Sequence, residues 1–228
     1  MDAVPNKSEN IRRGTNMNTK YHSLALLVTT MLFGLLAAIE PALAHHFMGG
    51  AVPSTNMQGL LSGLGHPIIG LDHLAFIIAI GLLSAVRRPL GIVAPGAFVI
   101  ATVLGTGLHL AGLTIPLAEM AIAVSVIAAG AMLITRAAYG SAAILAAFAG
   151  ISGLFHGYAY GESIFGAEST PLLAYLAGFC IIQLAIGMLA YAIGARFMNR
   201  KSAYLGQVLR ISGVAISILG FGFLIGTA

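Results

Sequence analysis

From residue 67 onward, polar positions punctuate apolar stretches of about twenty residues. A bilayer-spanning helix needs about 20 predominantly apolar residues. The pattern predicts spans over 67–86, 90–111, 116–135, 137–155, 171–195 and 203–225. The first is interrupted only by Asp72 and His73, and the third only by Glu119. Backbone N–H and C=O groups cannot be left unpaired in hydrocarbon, so each stretch reads as a helix. The ten-residue alternating segments of a membrane barrel are absent. Pro67 suits a first helical position, where its missing N–H has no intrahelical partner to lose. That places His66 at the mouth of the first span.

The chain upstream has the pattern of an export leader. Lys7, Arg12, Arg13 and Lys20 precede an apolar run from Ser23 to Ala38, and Ala42-Leu43-Ala44 fits the A-x-A cleavage rule. Cleavage there makes His45 the first mature residue. The expected organisation is an all-α polytopic membrane protein with six transmembrane helices after a cleavable signal peptide. Residues 1–44 form the leader, 45–65 a periplasmic N-terminal segment, and 66–228 the transmembrane domain.

Composition agrees with this reading. Hydrophobic residues make up 58% of the 228, charged residues 8%, and mean hydropathy is +0.95. Soluble domains carry about 25% charged residues, needed to solvate their exterior. The single cysteine, Cys180, permits neither an internal disulfide nor a site built of several thiolates. The net charge of +4 is dispersed along the chain and argues against a nucleic-acid partner.

Six spans after a cleaved leader place the 87–89, 136 and 196–202 connections on the cytoplasmic side. Arg87, Arg88, Arg136, Arg196, Arg200 and Lys201 fall there, with Arg210 near the same end of the last span. These are all seven Lys and Arg residues of the mature chain, in agreement with the positive-inside rule. The predicted setting is a bacterial inner membrane, with the mature N-terminus and the C-terminus periplasmic. Lipid is one partner, and a homo-oligomer is compatible with the sequence.

The remaining ionisable groups gather on the other side. His45, His46, His66, His73, His109, His156, Asp72, Glu119, Glu162 and Glu168 all fall in outer segments or the outer halves of spans. Carboxylates and imidazoles without a basic residue among them attract cations. Asp72 is the most informative, because a charge inside a span costs about 2.5–3.5 kcal/mol on insertion scales and marks function by default. On a continuous helix, His66 and His73 lie two turns apart on nearly one stripe, with Asp72 about 100° away. At the end of the fourth span, His156 and Tyr160 share a face, and Gly157 and Gly161 allow close backbone approach or a broken helix end. Imidazole with carboxylate suits a borderline divalent ion such as nickel, cobalt or zinc. The amine of a mature His45, with the imidazoles of His45 and His46, adds a capture site.

Blander roles compete with each assignment. His66 can cap a helix, Asp72 and His73 can join helices as a polar pair, and Glu119 can answer a helix dipole in a first turn. Other functions also compete. Gly150-Ile151-Ser152-Gly153 resembles the nucleophile motif of rhomboid intramembrane proteases, yet 171–195 and 203–225 contain no histidine to serve as base. Met48 and Met57 near His45 suggest copper, against the His and carboxylate character of the core. A passive scaffold or metal sensor is the remaining class.

Two motifs together resemble the HupE/UreJ family of nickel and cobalt permeases. His66-Pro67-Ile68-Ile69-Gly70-Leu71-Asp72-His73 matches its H-x5-D-H element, and Phe155-His156-Gly157-Tyr158-Ala159-Tyr160-Gly161-Glu162 resembles its F-H-G-x-A-H-G-x-E element. Tyr160 stands in place of the family's second histidine, Ser163 in place of its glutamate, and Glu162 one position earlier. The resemblance implies inward transport of Ni2+ or Co2+, bound transiently, with no resident cofactor and no enzymatic activity. The expected ligands are His66, Asp72, His73 and His156, with Glu162 facing them and His45 as a first contact. No Walker A sequence occurs, so the chain carries no evident ATP motor, and the membrane potential can suffice as a drive. It supplies about 4.6 kcal/mol per dication at 100 mV.

Overall fold

The computed structural model describes residues 51–86, 92–135, 141–198 and 203–227. The leader, His45 and His46, and the basic connections holding Arg87, Arg88, Arg136, Arg200 and Lys201 lie outside the described residues. Among the described residues there are seven helices and no strand: α1 Asn56–Ile69, α2 Leu71–Ala85, α3 Val93–Leu110, α4 Ala118–Thr135, α5 Ala142–Glu162, α6 Ser169–Met198 and α7 Ala203–Gly226. Five of them, α3 to α7, are long and apolar enough to cross a membrane; α1 and α2, bent by 76° at their junction, make up to a sixth if they form one span.

Large apolar side chains point away from the bundle. Ile100, Leu104, Ile144, Ile151, Leu173 and Leu189 are all exposed. A water-soluble fold would bury such residues, and hydrocarbon accepts them. The architecture fits a membrane protein.

The first predicted span differs most from expectation. The helix starts at Asn56, ahead of Pro67, held by a capping box in which Thr55 accepts from Gln58 N and the Gln58 side chain accepts from Thr55 N. Pro67 therefore lies inside α1. It cannot donate to the carbonyl one turn back, which weakens the helix near its end. Gly70, with ψ of 95°, then leaves helical geometry, serving as the C-cap of α1 and the N-cap of α2. Its N–H donates to the His66 carbonyl (3.0 Å), and its carbonyl accepts from Leu74 N (2.9 Å). Asp72 stands in the first turn of α2, where a carboxylate complements the helix dipole and accepts from His73 N (2.8 Å).

The predicted fourth span also moves. α5 runs to Glu162, and the segment expected at its end, from His156 to Glu162, is helical throughout. Gly157 and Gly161 thus serve close approach; the helix does not break there. Gly153, Gly157 and Gly161 recur every fourth residue on one stripe of α5. A Cβ at each would fall under 3.0 Å from Phe98 O, Thr102 O or His109 Cβ on α3. Thr106 Oγ1 ties the pair further by donating to the Gly157 carbonyl (2.8 Å). Gly59 and Gly63 of α1 pack in the same way against Pro171 and Tyr175 of α6. Small residues permit these approaches where lipid offers no hydrophobic drive for helix association.

α2 occupies the centre and touches every other described helix. It is buried on almost every face, including Asp72, His73, Phe76, Ile80, Leu83 and Ser84. Its 15 residues read as one apolar run because all sides meet protein.

Candidate metal centre

The bend at Gly70 builds the site. His66 ends α1 and His73 begins α2, so the two imidazoles are not stacked along one helix stripe. They meet across the break, with ring centroids 5.6 Å apart. His156 reaches the same place from α5, its ring centroid 4.8 Å from that of His73. All three rings and Asp72 are at most 2% exposed. Tyr160 lies edge-on to both His66 (4.8 Å) and His73 (4.6 Å), and with Tyr175 and Phe179 forms an aromatic wall between α5 and α6.

Hydrogen bonds assign the neutral imidazole tautomers. Ser125 Oγ, on α4, donates to the Ile122 carbonyl (2.7 Å), so toward His156 Nε2 (3.0 Å) it accepts. His156 then carries its proton on Nε2 and accepts at Nδ1. His73 Nδ1 donates to it across 2.6 Å. This leaves Nε2 as the lone-pair nitrogen of His73, on the side of Asp72, whose Oδ1 is 4.0 Å away. His66 Nδ1 is bonded to Ser163 Oγ (2.8 Å). Tyr175 Oη donates to the Tyr160 carbonyl (3.0 Å) and also meets Ser163, closing a polar shell behind His66.

The sequence-predicted residues do not all gather here. His66, Asp72, His73 and His156 converge. Glu162 is exposed and lines a separate cavity of about 280 Å³ with His109, Glu119 and Tyr158. Glu119 stands in the first turn of α4 and His109 in the last turn of α3, as expected. In these side-chain positions no three His, Cys, Asp or Glu groups among the described residues are placed to hold one ion. Sequence reasoning missed Ser125, Tyr175 and the part of Ser163, because hydroxyls on apolar helices carry no signal apart from their tertiary partners. Tyr160 and Ser163, the two departures from the familial motif, both touch His66 directly.

The fold and site define a polytopic helical protein with a buried cluster of imidazoles and one carboxylate. The HupE / UreJ protein family matches residues 31–223 of the chain. Protein HupE of Rhizobium leguminosarum bv. viciae is 30% identical over 194 residues, covering 84% of this chain and 95% of that protein. The chain belongs to the HupE/UreJ family. No solved structure matches it.

Proposed function

We propose that the protein is a permease that carries a divalent transition metal, nickel or cobalt, across the bacterial inner membrane into the cytoplasm. The observation that carries this reading is the convergence of His66, Asp72, His73 and His156 at the broken α1–α2 helix, inside a bundle whose outer faces are apolar. Discontinuous helices with ionisable groups at the break are a recurring way to build ion sites in lipid. Family membership supports the same reading.

The chemistry follows from the donor set. Neutral imidazoles supply nitrogen lone pairs, and the Asp72 carboxylate offsets the charge of a dication that sheds water. His73, with Nδ1–H engaged by His156, offers Nε2, and a ligand histidine is commonly oriented by a bond at its other nitrogen. Ligation by His156 as well requires the His73–His156 bond to open and the rings to turn, so binding is coupled to rearrangement at the bend. Glu162, with His109 and Glu119 around the larger cavity, attracts cations ahead of this centre. His45 is assigned the first contact. The mature N-terminus and the C-terminus are assigned to the periplasm. Both nitrogens of His156 are committed to His73 and Ser125, which supports transport over a protease built on Ser152.

The deciding experiment is uptake into proteoliposomes, comparing Ni2+, Co2+, Zn2+ and Cu+ under an inside-negative potential. Accumulation of Ni2+ or Co2+ ahead of the other two is expected, with Ser152→Ala close to wild type. Absence of flux for every ion would refute the permease. A more local prediction concerns Gly70. A Cβ there would lie 2.5 Å from His73 Cδ2, so Gly70→Ala is expected to displace that ring. Co2+ affinity in detergent titration should fall about tenfold, the usual effect of disturbing a ligand's support, with helix content unchanged.

A further inference from the structure

A neutral imidazole carries one proton for its two nitrogens, and only the bare nitrogen can ligate a metal. For His66 the choice falls to two hydroxyls behind the ring. Ser163 is the C-cap of α5 and Tyr175 lies on α6; both are buried. Ser163 Oγ is 2.8 Å from His66 Nδ1. Tyr175 Oη donates to the Tyr160 carbonyl (3.0 Å), in the last turn of α5, where carbonyls lack intrahelical partners. With that proton committed, Tyr175 Oη accepts in its hydrogen bond with Ser163. The Ser163 proton then points to Tyr175, and Ser163 Oγ accepts from His66 Nδ1–H. The chain runs from His66 through Ser163 and Tyr175 to a main-chain carbonyl, and each of its three protons has an acceptor. Hydrogen bonds aligned in one sense reinforce one another.

Nε2 is thereby the lone-pair nitrogen of His66. His73 is set the same way by His156, with its Nε2 toward Asp72. The two imidazoles on either side of the Gly70 break offer like nitrogens, although different helices set them.

We propose that Tyr175, which is not among the ligands, governs metal affinity by aiming the Ser163 hydroxyl away from His66. Tyr175 and Ser163 are positioning residues. The inference rests on the reading of His66 as a ligand of the transported dication. Without the Tyr175 hydroxyl, the Ser163 proton turns to His66 Nδ1. The imidazole proton is then carried on Nε2, and the ligating lone pair is lost. The phenol acts across two hydrogen bonds, with no contact to the metal.

The test uses full-length protein in detergent, with Co2+ as the only metal and histidine isotopically labelled at the ring nitrogens for NMR. In metal-free wild-type protein His66, assigned by the signal lost in His66→Ala, is expected to show a protonated Nδ1 and a bare Nε2. Tyr175→Phe keeps the ring and its contacts with His66 and Phe179. It is expected to reverse that pattern and lower Co2+ affinity about tenfold, the usual effect of removing a ligand histidine's support. Adding Ser163→Ala to Tyr175→Phe removes the misdirected donor. The double variant is expected to bind Co2+ at least threefold more tightly than Tyr175→Phe, whereas damage to packing would deepen with a second truncation. A bare Nδ1 on His66 in the wild type would overturn the inference and leave the permease standing. So would wild-type affinity in Tyr175→Phe, or a double variant no better than the single one. Absence of Ni2+ and Co2+ uptake by wild-type proteoliposomes would overturn the permease reading and this inference together.

Discussion

His73→Ala is expected to abolish uptake of divalent metal into proteoliposomes, at least a hundredfold below wild type, in protein that still inserts and remains monodisperse. His73 is fully buried in the first turn of the central helix, and its ring contacts His66, His156 and Tyr160 together. Its removal deletes the nitrogen that faces Asp72 and leaves His156 Nδ1 without its donor. The second effect costs about 1–3 kcal/mol for an unpaired buried group, tolerable in a bundle whose helices are held elsewhere. The first removes one of the proposed ligands. Asp72→Asn is the companion test. It keeps shape and an oxygen acceptor for His73 N but removes the charge proposed to offset a dication in a low-dielectric core. Its uptake should fall comparably. Wild-type rates in either variant would place the transport site elsewhere. Separating insertion from activity is straightforward, because membrane extraction and size-exclusion profiles report folding without reference to metal.

Gly157→Leu is expected to produce the largest loss of stability. A Cβ at Gly157 would occupy the position of the Thr102 backbone, and neighbouring Thr106 Oγ1 bonds the Gly157 carbonyl. The clash meets main chain, which cannot turn aside as a side chain can. The helices must separate, opening α3 from α5 over the stripe that Gly153 and Gly161 continue. Overpacking costs about 1–3 kcal/mol, and at the upper end this corresponds to an apparent Tm lower by about 10 °C for a chain of this size. Thermal unfolding of purified protein in detergent measures it. A substitution at Gly150, also on α5 but with nothing within 4 Å of its Cβ, serves as control and should shift Tm by much less. Because His156 stands next to Gly157, parting α3 from α5 also moves an imidazole, so transport should fall with stability.

Most of the helix inventory was legible in the pattern of apolar stretches. The helices from α3 to α7 fall on predicted spans, since twenty apolar residues in lipid have few alternatives to a helix. Ends were harder. The polar run from His156 to Glu162 reads as a span ending, and it is helical because glycine and small residues let its faces press on α3. The bend at Gly70 had its elements in plain view, Pro67, Gly70 and Asp72, yet local rules permit both a proline at a helix start and a proline near a helix end. Thr55 and Gln58 decided the matter by capping a helix that begins earlier.

The site was legible in the same uneven way. Asp72 and His73 stand out because ionisable groups are costly in an apolar run, and a cost borne in the bilayer needs a reason; His66 and His156 stand out through the motifs that hold them. Glu162 stood out through the same motif as His156, and the structure gives it to another cavity. Ser125 and Ser163 cost little on a helix considered alone, so they carry no mark. Their meaning comes from partners on other helices: His156 for Ser125, His66 for Ser163.

The sequence by itself determined the helical class, the approximate helices and the residue types at the centre, because burial in lipid constrains each segment locally and strongly. Only the tertiary structure decided which imidazoles meet, which nitrogen each one uses, and that the first predicted span turns at Gly70. The first two outcomes depend on contacts between residues 83 and 97 positions apart in the chain, which no local pattern encodes.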